Sequence, residues 1–162
     1  MGKEIEKKFL VTRSLESVVG KEVLETLDCS EIEQFYIEIN EEREIRFRKK
    51  VTRKEKKFYK TVKSGGGLVR EEIEVEIVEE EYERNLENKV GNKISKRRYL
   101  YNKLEMDVYD GKSDFFIVEI EFGSEEEANK FVLPNEFYPV VEVTSDKSWK
   151  NKNIALKGVP SV

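Results

Sequence analysis

The chain contains no histidine and a single cysteine, Cys29. The first absence removes the side chain that most often exchanges protons near neutral pH, and with it the commonest zinc ligand. Any metal bound here must be hard and held by oxygen. The lone cysteine excludes an intrachain disulfide and a multi-cysteine zinc site, which suits a reducing cytoplasm, and Cys29 itself reads as a small buried hydrophobe. No run approaches the roughly 20 apolar residues of a membrane span, and the charged stretch from Met1 to Val11 lacks the apolar centre of a signal peptide. These features predict a soluble, cytoplasmic protein with no membrane partner. Nor does either sign of charge dominate: 30 Lys and Arg against 34 Asp and Glu leave a net charge of -4, which disfavours nucleic-acid binding by bulk charge.

What remains is a chain of 162 residues, 38% hydrophobic and 40% charged, which predicts one domain over residues 1–162 with enough apolar material for a core and an excess of charge that needs a reason. Two-residue alternation dominates, the pattern of strands with two chemically different faces. It predicts strands from Glu4 to Phe9 and at about 31–39, 43–52, 56–63, 69–78, 93–101, 104–110 and 115–122, with a short one near 140–143. Helices are expected at about 14–27, 79–88, 124–131 and 151–157. Ser124 followed by three glutamates suits a helix N-terminus. Ser64-Gly65-Gly66-Gly67 reads as a tight connection between strands. A phosphate-cradling loop is disfavoured, because no Gly-Lys-Ser/Thr follows and no helix opens there. About eight strands in hairpin succession predict a mainly β, eight-stranded antiparallel barrel, with the helices packed outside.

The polar face of strand after strand carries both signs of charge. Glu4, Glu6 and Lys8 share a face opposite Ile5 and Phe9; Arg46 and Arg48 flank Phe47; Lys63 ends a strand; Arg70, Glu72, Glu74 and Glu76 alternate with Ile73, Val75 and Ile77. The series continues through Lys96 and Arg98, Glu105 and Asp107, then Glu119 and Glu121. Solvated outer faces are the simpler reading of any one strand. Solubility, however, calls for Ser, Thr, Asn and Gln as well, and these faces hold almost only carboxylates, guanidiniums and ammoniums. Turned inward, each charge needs a partner, since burying an isolated ion costs several kcal/mol. A polyphosphate with divalent cations supplies such partners: Arg and Lys meet phosphate oxygens, and clustered carboxylates hold the metal.

In order along the chain stand Glu4-Ile5-Glu6-Lys7-Lys8, Gln34-Phe35-Tyr36, Arg46-Phe47-Arg48, Thr61-Val62-Lys63-Ser64, Arg70-Glu71-Glu72, Lys96-Arg97-Arg98-Tyr99, Glu105-Met106-Asp107-Val108-Tyr109, Val118-Glu119-Ile120-Glu121-Phe122 and Glu142-Val143-Thr144-Ser145-Asp146-Lys147, followed by Asn151. This series resembles the triphosphate tunnel metalloenzymes, also described as the CYTH superfamily, and in particular its short bacterial inorganic triphosphatases. Two departures stand out. Glu33 occupies a place where many bacterial members have Arg, with Phe35 in place of Gly, and Trp149 stands where Tyr is usual.

The resemblance implies an eight-stranded antiparallel tunnel and metal-dependent hydrolysis of a triphosphate, with Mg2+ or Mn2+ as cofactor. Carried over residue by residue, it implies metal-facing carboxylates at Glu4, Glu6, Glu119 and Glu121, with Asp107 and Glu74 beside them. It implies phosphate ligands at Arg46, Arg48, Lys63, Arg70, Arg98 and Lys147, and catalytic lysines at Lys8 and Lys96 that help activate water. With no histidine, the base must be metal-bound hydroxide, a carboxylate or a lysine, and a lysine base predicts an alkaline pH optimum. Inorganic tripolyphosphate is the favoured substrate, because no extra segment suits a nucleoside or a thiazolium. Thiamine triphosphate and other organic triphosphates rank next, then adenylate cyclisation, with RNA 5′-triphosphatase activity behind them. A non-catalytic polyphosphate-binding module is the alternative of another class. A homodimer is an allowed assembly.

Overall fold

The computed structural model describes residues 5–65 and 71–162. Glu4, Arg70, Gly66 and Gly67 therefore lie outside the described residues. The described strands are β1 Glu6–Val11, β2 Asp28–Ile39, β3 Arg43–Val51, β4 Lys56–Ser64, β5 Glu71–Ile77, β6 Val90–Tyr101, β7 Leu104–Tyr109, β8 Phe116–Glu121 and the two-residue β9 Val141–Glu142. Eight long strands fall at the predicted places, and β9 is the short one expected near 140–143. The strands are mainly antiparallel by register: β1 with β8 and β9, β2 with β3, β3 with β4, β4 with β5, β6 with β7 and β7 with β8.

The helices are α1 Leu15–Val19, α2 Lys21–Thr26, α3 Glu79–Asn85, α4 Glu125–Lys130 and α5 Asn151–Lys157, with a 3-10 turn at Leu86–Asn88 continuing α3. The single helix expected over 14–27 is broken in two at Gly20, whose φ of 87° lies in the region that favours glycine. Helix-period apolar residues on both sides of a glycine do not reveal such a break. Ser14 caps α1 by accepting from the Ser17 N–H at 3.2 Å, and Ser124 caps α4 by accepting from the Glu127 N–H at 3.1 Å.

Two compact units divide the chain. Among the described residues, the first comprises Ser30–Ser95 with Ser148–Pro160, and the second residues 5–29, Lys96–Lys147 and Ser161–Val162. The first runs β5-β4-β3-β2 and the opening half of β6; the second runs the closing half of β6, then β7-β8-β1-β9.

In the second unit, register pairs Phe9 with Val118 and Lys8 with Glu119, so the pleat separates apolar and charged sides across the strands. The apolar side packs Phe9, Val11, Met106, Phe116, Val118 and Ile120 with Leu15 and Val18 of α1 and with Leu133 and Phe137. Each such side chain contributes roughly 1.5–3 kcal/mol on burial. The helical segments thus cover the apolar side, and the charges lie on the opposite one. The first unit repeats the arrangement. Phe35, Phe47 and Phe58 pack against Tyr82 of α3, with Phe35 stacked on Phe47 at 5.4 Å and edge-on to Tyr82 at 5.1 Å. Here β5 departs from the alternation: Ile77 reaches the cluster while Ile73 and Val75 are 60% and 48% exposed.

Candidate functional site

On the charged side of the second unit, β6, β7, β8 and β1 bring together Lys96, Arg98, Glu105, Asp107, Glu119 and Lys8. Register places Arg98 opposite Asp107, Glu105 opposite Glu119, and Glu119 opposite Lys8. Asp107 is completely buried. Its two oxygens accept from the Arg98 fork, Nε to Oδ1 at 2.8 Å and Nη2 to Oδ2 at 2.9 Å, while Lys96 Nζ lies 2.7 Å from Oδ2. Arg98 Nη1 donates to Glu105 Oε2 at 3.0 Å, and its Nη2 is 3.8 Å from Glu119. Lys8 Nζ stands 3.3 Å from Glu119 Oε1. Three cations and three carboxylates thus interlock, the arrangement under which buried charge is tolerated.

Electrostatics keeps Asp107, Glu119 and Arg98 ionised. Burial pushes the Asp107 carboxyl up, but Lys96 and Arg98 outweigh it and hold it well below the usual carboxylate range. Glu119 is also held low: burial opposes, Lys8 favours the anion, nearby Asp107 opposes again, and Lys96 and Arg98 add to Lys8. Burial would lower Arg98, yet Asp107, Glu119 and Glu105 raise it above its ordinary value. The C-terminal motif clamps the backbone here. The Val143 N–H donates to the Lys8 carbonyl at 2.8 Å, and Thr144 Oγ1 accepts from the Lys8 N–H at 3.0 Å. Glu6 lies directly opposite Glu121 at the end of the same ladder, and Glu121 is exposed.

The first unit holds a second charged face. Arg46 and Arg48, two apart on β3, share a side; register sets Tyr36 and Thr61 opposite Arg46, and Gln34 and Tyr59 opposite Arg48. Arg46 Nη2 donates to Thr61 Oγ1 at 3.3 Å and lies 3.6 Å from Glu74 Oε1, to which the Thr61 hydroxyl donates at 2.7 Å. Arg48 Nε and Nη2 both donate to Gln34 Oε1, at 2.8 and 2.6 Å. Lys63 stands between Glu44 and Glu72 in the ladder. Tyr36 is buried beside these charges; burial raises its phenol above the ordinary value, and Arg46 only partly opposes this.

Of the residues singled out from sequence, Lys8, Lys96, Arg98, Asp107 and Glu119 form one buried network, and Arg46, Arg48, Lys63 and Glu74 lie together in the first unit. Lys147 is exposed, in a 3-10 turn over Lys147–Trp149. Sequence reasoning passed over Glu105 as a ligand, although its two-residue spacing from Asp107 puts it on the same face. It named Gln34, Tyr36 and Thr61 within its motifs but gave them no place in the site, because the site was read from charge and they carry none. Among the described residues no three carboxylates converge on a metal-sized point. The donor chemistry nonetheless fits a hard divalent cation. Every donor is oxygen, and register sets the Glu6 carboxylate opposite that of Glu121.

No family profile matches the sequence. An inorganic triphosphatase from Nitrosomonas europaea is 35% identical over 161 residues, covering 94% of this chain and 97% of that protein. A solved structure of an inorganic triphosphatase superposes with a TM-score of 0.64 at 31% identity, over 99% of each chain. A protein from Pyrococcus horikoshii shares the fold at a TM-score of 0.52 and 21% identity, over 77% of this chain and 82% of that one.

Proposed function

Because the chain belongs to the CYTH superfamily of triphosphate tunnel metalloenzymes, as its 35% identity to an inorganic triphosphatase along nearly the whole of both proteins establishes, we propose that it hydrolyses inorganic tripolyphosphate to pyrophosphate and phosphate. The observation that carries the reading is the buried network of Lys8, Lys96 and Arg98 with Glu105, Asp107 and Glu119. A fold seeking stability alone gains little from four buried charges, Lys8, Lys96, Asp107 and Glu119, with Arg98 and Glu105 partly buried among them, since apolar residues of similar volume serve as well. A site for a polyanion and its counter-cations has a use for them.

Magnesium or manganese is the proposed cofactor, with Glu4, Glu6, Glu119 and Glu121 as its holders and Asp107 and Glu74 as further candidate ligands. When bound, such a cation supplies charge neutralisation and a more acidic water. The remaining work falls to the chain. Arg46, Arg48, Lys63, Arg70, Arg98 and Lys147 are the proposed phosphate ligands, binding the non-bridging oxygens and offsetting charge as it builds on the leaving pyrophosphate. Water attacks the terminal phosphorus, the bond to the bridging oxygen breaks, and that oxygen leaves with pyrophosphate. Lys8 and Lys96 orient the water and manage its proton. Their hold on position comes from Glu119 and Asp107. A homodimer in the cytoplasm, where a lone Cys29 stays reduced, completes the proposal.

Phosphate release from tripolyphosphate, thiamine triphosphate and ATP, each with magnesium, manganese or EDTA, tests it. The expected result is metal-dependent release fastest from tripolyphosphate. Faster turnover of thiamine triphosphate would replace the substrate, and tight binding with no release would replace catalysis by a binding role.

A further inference from the structure

Register sets Arg46 of β3 opposite Thr61 of β4, and Thr61 opposite Glu74 of β5, so a cation, a hydroxyl and a carboxylate stand in one row across three strands. Their exposure differs. The Arg46 side chain is 10% exposed and that of Glu74 46%, while Thr61, central in the row, is buried. The Thr61 hydroxyl donates to Glu74 Oε1 at 2.7 Å and accepts from Arg46 Nη2 at 3.3 Å, whereas the ion pair itself is longer, at 3.6 Å. One hydroxyl can do both, because it carries a donor and two acceptor lone pairs. Both contacts to Arg46 run through Nη2, and Arg46 Nε is buried without a hydrogen-bond partner among the described residues. Arg98 is held otherwise, its fork closing on Asp107 with two bonds of 2.8 and 2.9 Å. A buried strand position is filled as well by valine, which has the same branched shape and no hydroxyl to satisfy. The hydroxyl of Thr61 therefore needs a reason.

We infer that Thr61 is a positioning residue, whose hydroxyl links Glu74 to Arg46 and so sets where Arg46 meets the phosphate of the substrate. Its single proton goes to Glu74, so Thr61 acts on the substrate through Arg46. The hydroxyl also stands in the way of a direct, two-bonded closure of the carboxylate on the guanidinium, a geometry that would occupy the fork with the protein's own anion. The inference rests on the reading of Arg46 as a phosphate ligand.

The test compares Thr61→Val, which removes the hydroxyl and keeps the branched shape, with Thr61→Ser, which keeps the hydroxyl. For both, kcat and KM for tripolyphosphate are measured alongside thermal unfolding. Thr61→Val should raise KM about tenfold, the scale of one lost hydrogen bond to a charged group, and Thr61→Ser should keep KM within about twofold of the parent. A merely structural threonine lowers the melting temperature of Thr61→Val and leaves its KM alone, and that result overturns the inference. So does a Thr61→Ser variant as impaired as Thr61→Val. If Thr61→Val does not fold, Thr61→Ala takes its place against Thr61→Ser, a pair that differs by the hydroxyl alone. In an Arg46→Met background the effect of losing the hydroxyl on tripolyphosphate affinity, read by calorimetry, should vanish, and an equal effect in both backgrounds overturns the inference. Should the parent protein release no phosphate, the same variants are titrated with tripolyphosphate and magnesium by calorimetry. Binding that loss of the hydroxyl leaves unchanged refutes the role of Thr61 alone, and no binding by the parent refutes the phosphate site with it.

Discussion

Replacing Asp107 by Asn is the sharpest probe of the buried network. Asp107 is fully buried, receives both arms of the Arg98 fork at 2.8 and 2.9 Å, and lies 2.7 Å from Lys96, whose side chain has no solvent exposure. Asparagine has nearly the same shape and keeps one acceptor for Arg98, so little is lost to packing. The negative charge beside Lys96 and Arg98 disappears, and both cations must remain where their side chains are largely shielded from solvent. Removing one partner of a buried ion pair costs about 3–5 kcal/mol, and the retained acceptor puts this change near the lower end, about 3 kcal/mol. For a chain of this size that is a fall of roughly 6–12 °C in melting temperature. Urea unfolding followed by circular dichroism reads it as a lower midpoint at unchanged slope. Adding Lys96→Met, which keeps much of the buried stem and removes the stranded charge, should recover at least about 1 kcal/mol, because the two residues are in contact. A loss below about 1 kcal/mol for Asp107→Asn, or strict additivity in the double variant, would falsify the claim that these charges depend on one another.

Lys8→Ala should lower kcat for tripolyphosphate by about a hundredfold or more, the usual scale for a lost proton-handling group. Turnover that survives the change in steady-state assays removes Lys8 from the mechanism. Glu33 makes a separate prediction about acid. Partial burial would raise its carboxyl, but the Tyr82 hydroxyl at 2.8 Å, with Lys49 and Lys93, holds it below its ordinary value. The unfolded chain then binds the proton more readily, so the stability Glu33 contributes is complete above about pH 4.3 and drains away as pH falls through the lower folded value. Glu33→Gln should flatten that part of the acid unfolding curve, and an unchanged curve counts against the contact. Gly91→Ala should destabilise by about 2 kcal/mol or more on thermal denaturation, since a left-handed conformation alone costs an alanine about 1–2 kcal/mol. Gly91 has φ 76°, and a Cβ there would collide with the Ala155 carbonyl oxygen. A neutral result would mean that α5 does not press on β6 as described.

Much of the fold was legible because period-two alternation is a local property. Each strand carries its own record of which side chains share a face, so the eight long strands and the short β9 could be placed from residue types alone. The same locality explains the misses. The break of the first helix depends on Gly20 taking a positive φ, a choice made by how the chain must turn. The early starts of β2 at Asp28 and β6 at Val90 depend on neighbouring strands, since Asp28-Cys29-Ser30 and Val90-Gly91-Asn92 carry little alternation of their own.

The candidate site divides along the same line. Sequence by itself determined that carboxylates, lysines and arginines alternate with apolar residues, and the order of its motifs resembles that of the triphosphate tunnel metalloenzymes. It could not say which charge meets which, because a partner is chosen by the register between strands far apart in the chain. Tertiary structure alone decided that Arg98 meets Asp107, Glu105 and Glu119, and that Arg48 donates to Gln34 Oε1. It also decided that Glu33, which looked like a departure at the edge of a motif, accepts from Tyr82. Residues of like standing in the sequence thus acquired different neighbours, because the register between distant strands sets which groups come within a few ångströms of one another, and those groups set the energy of a charge.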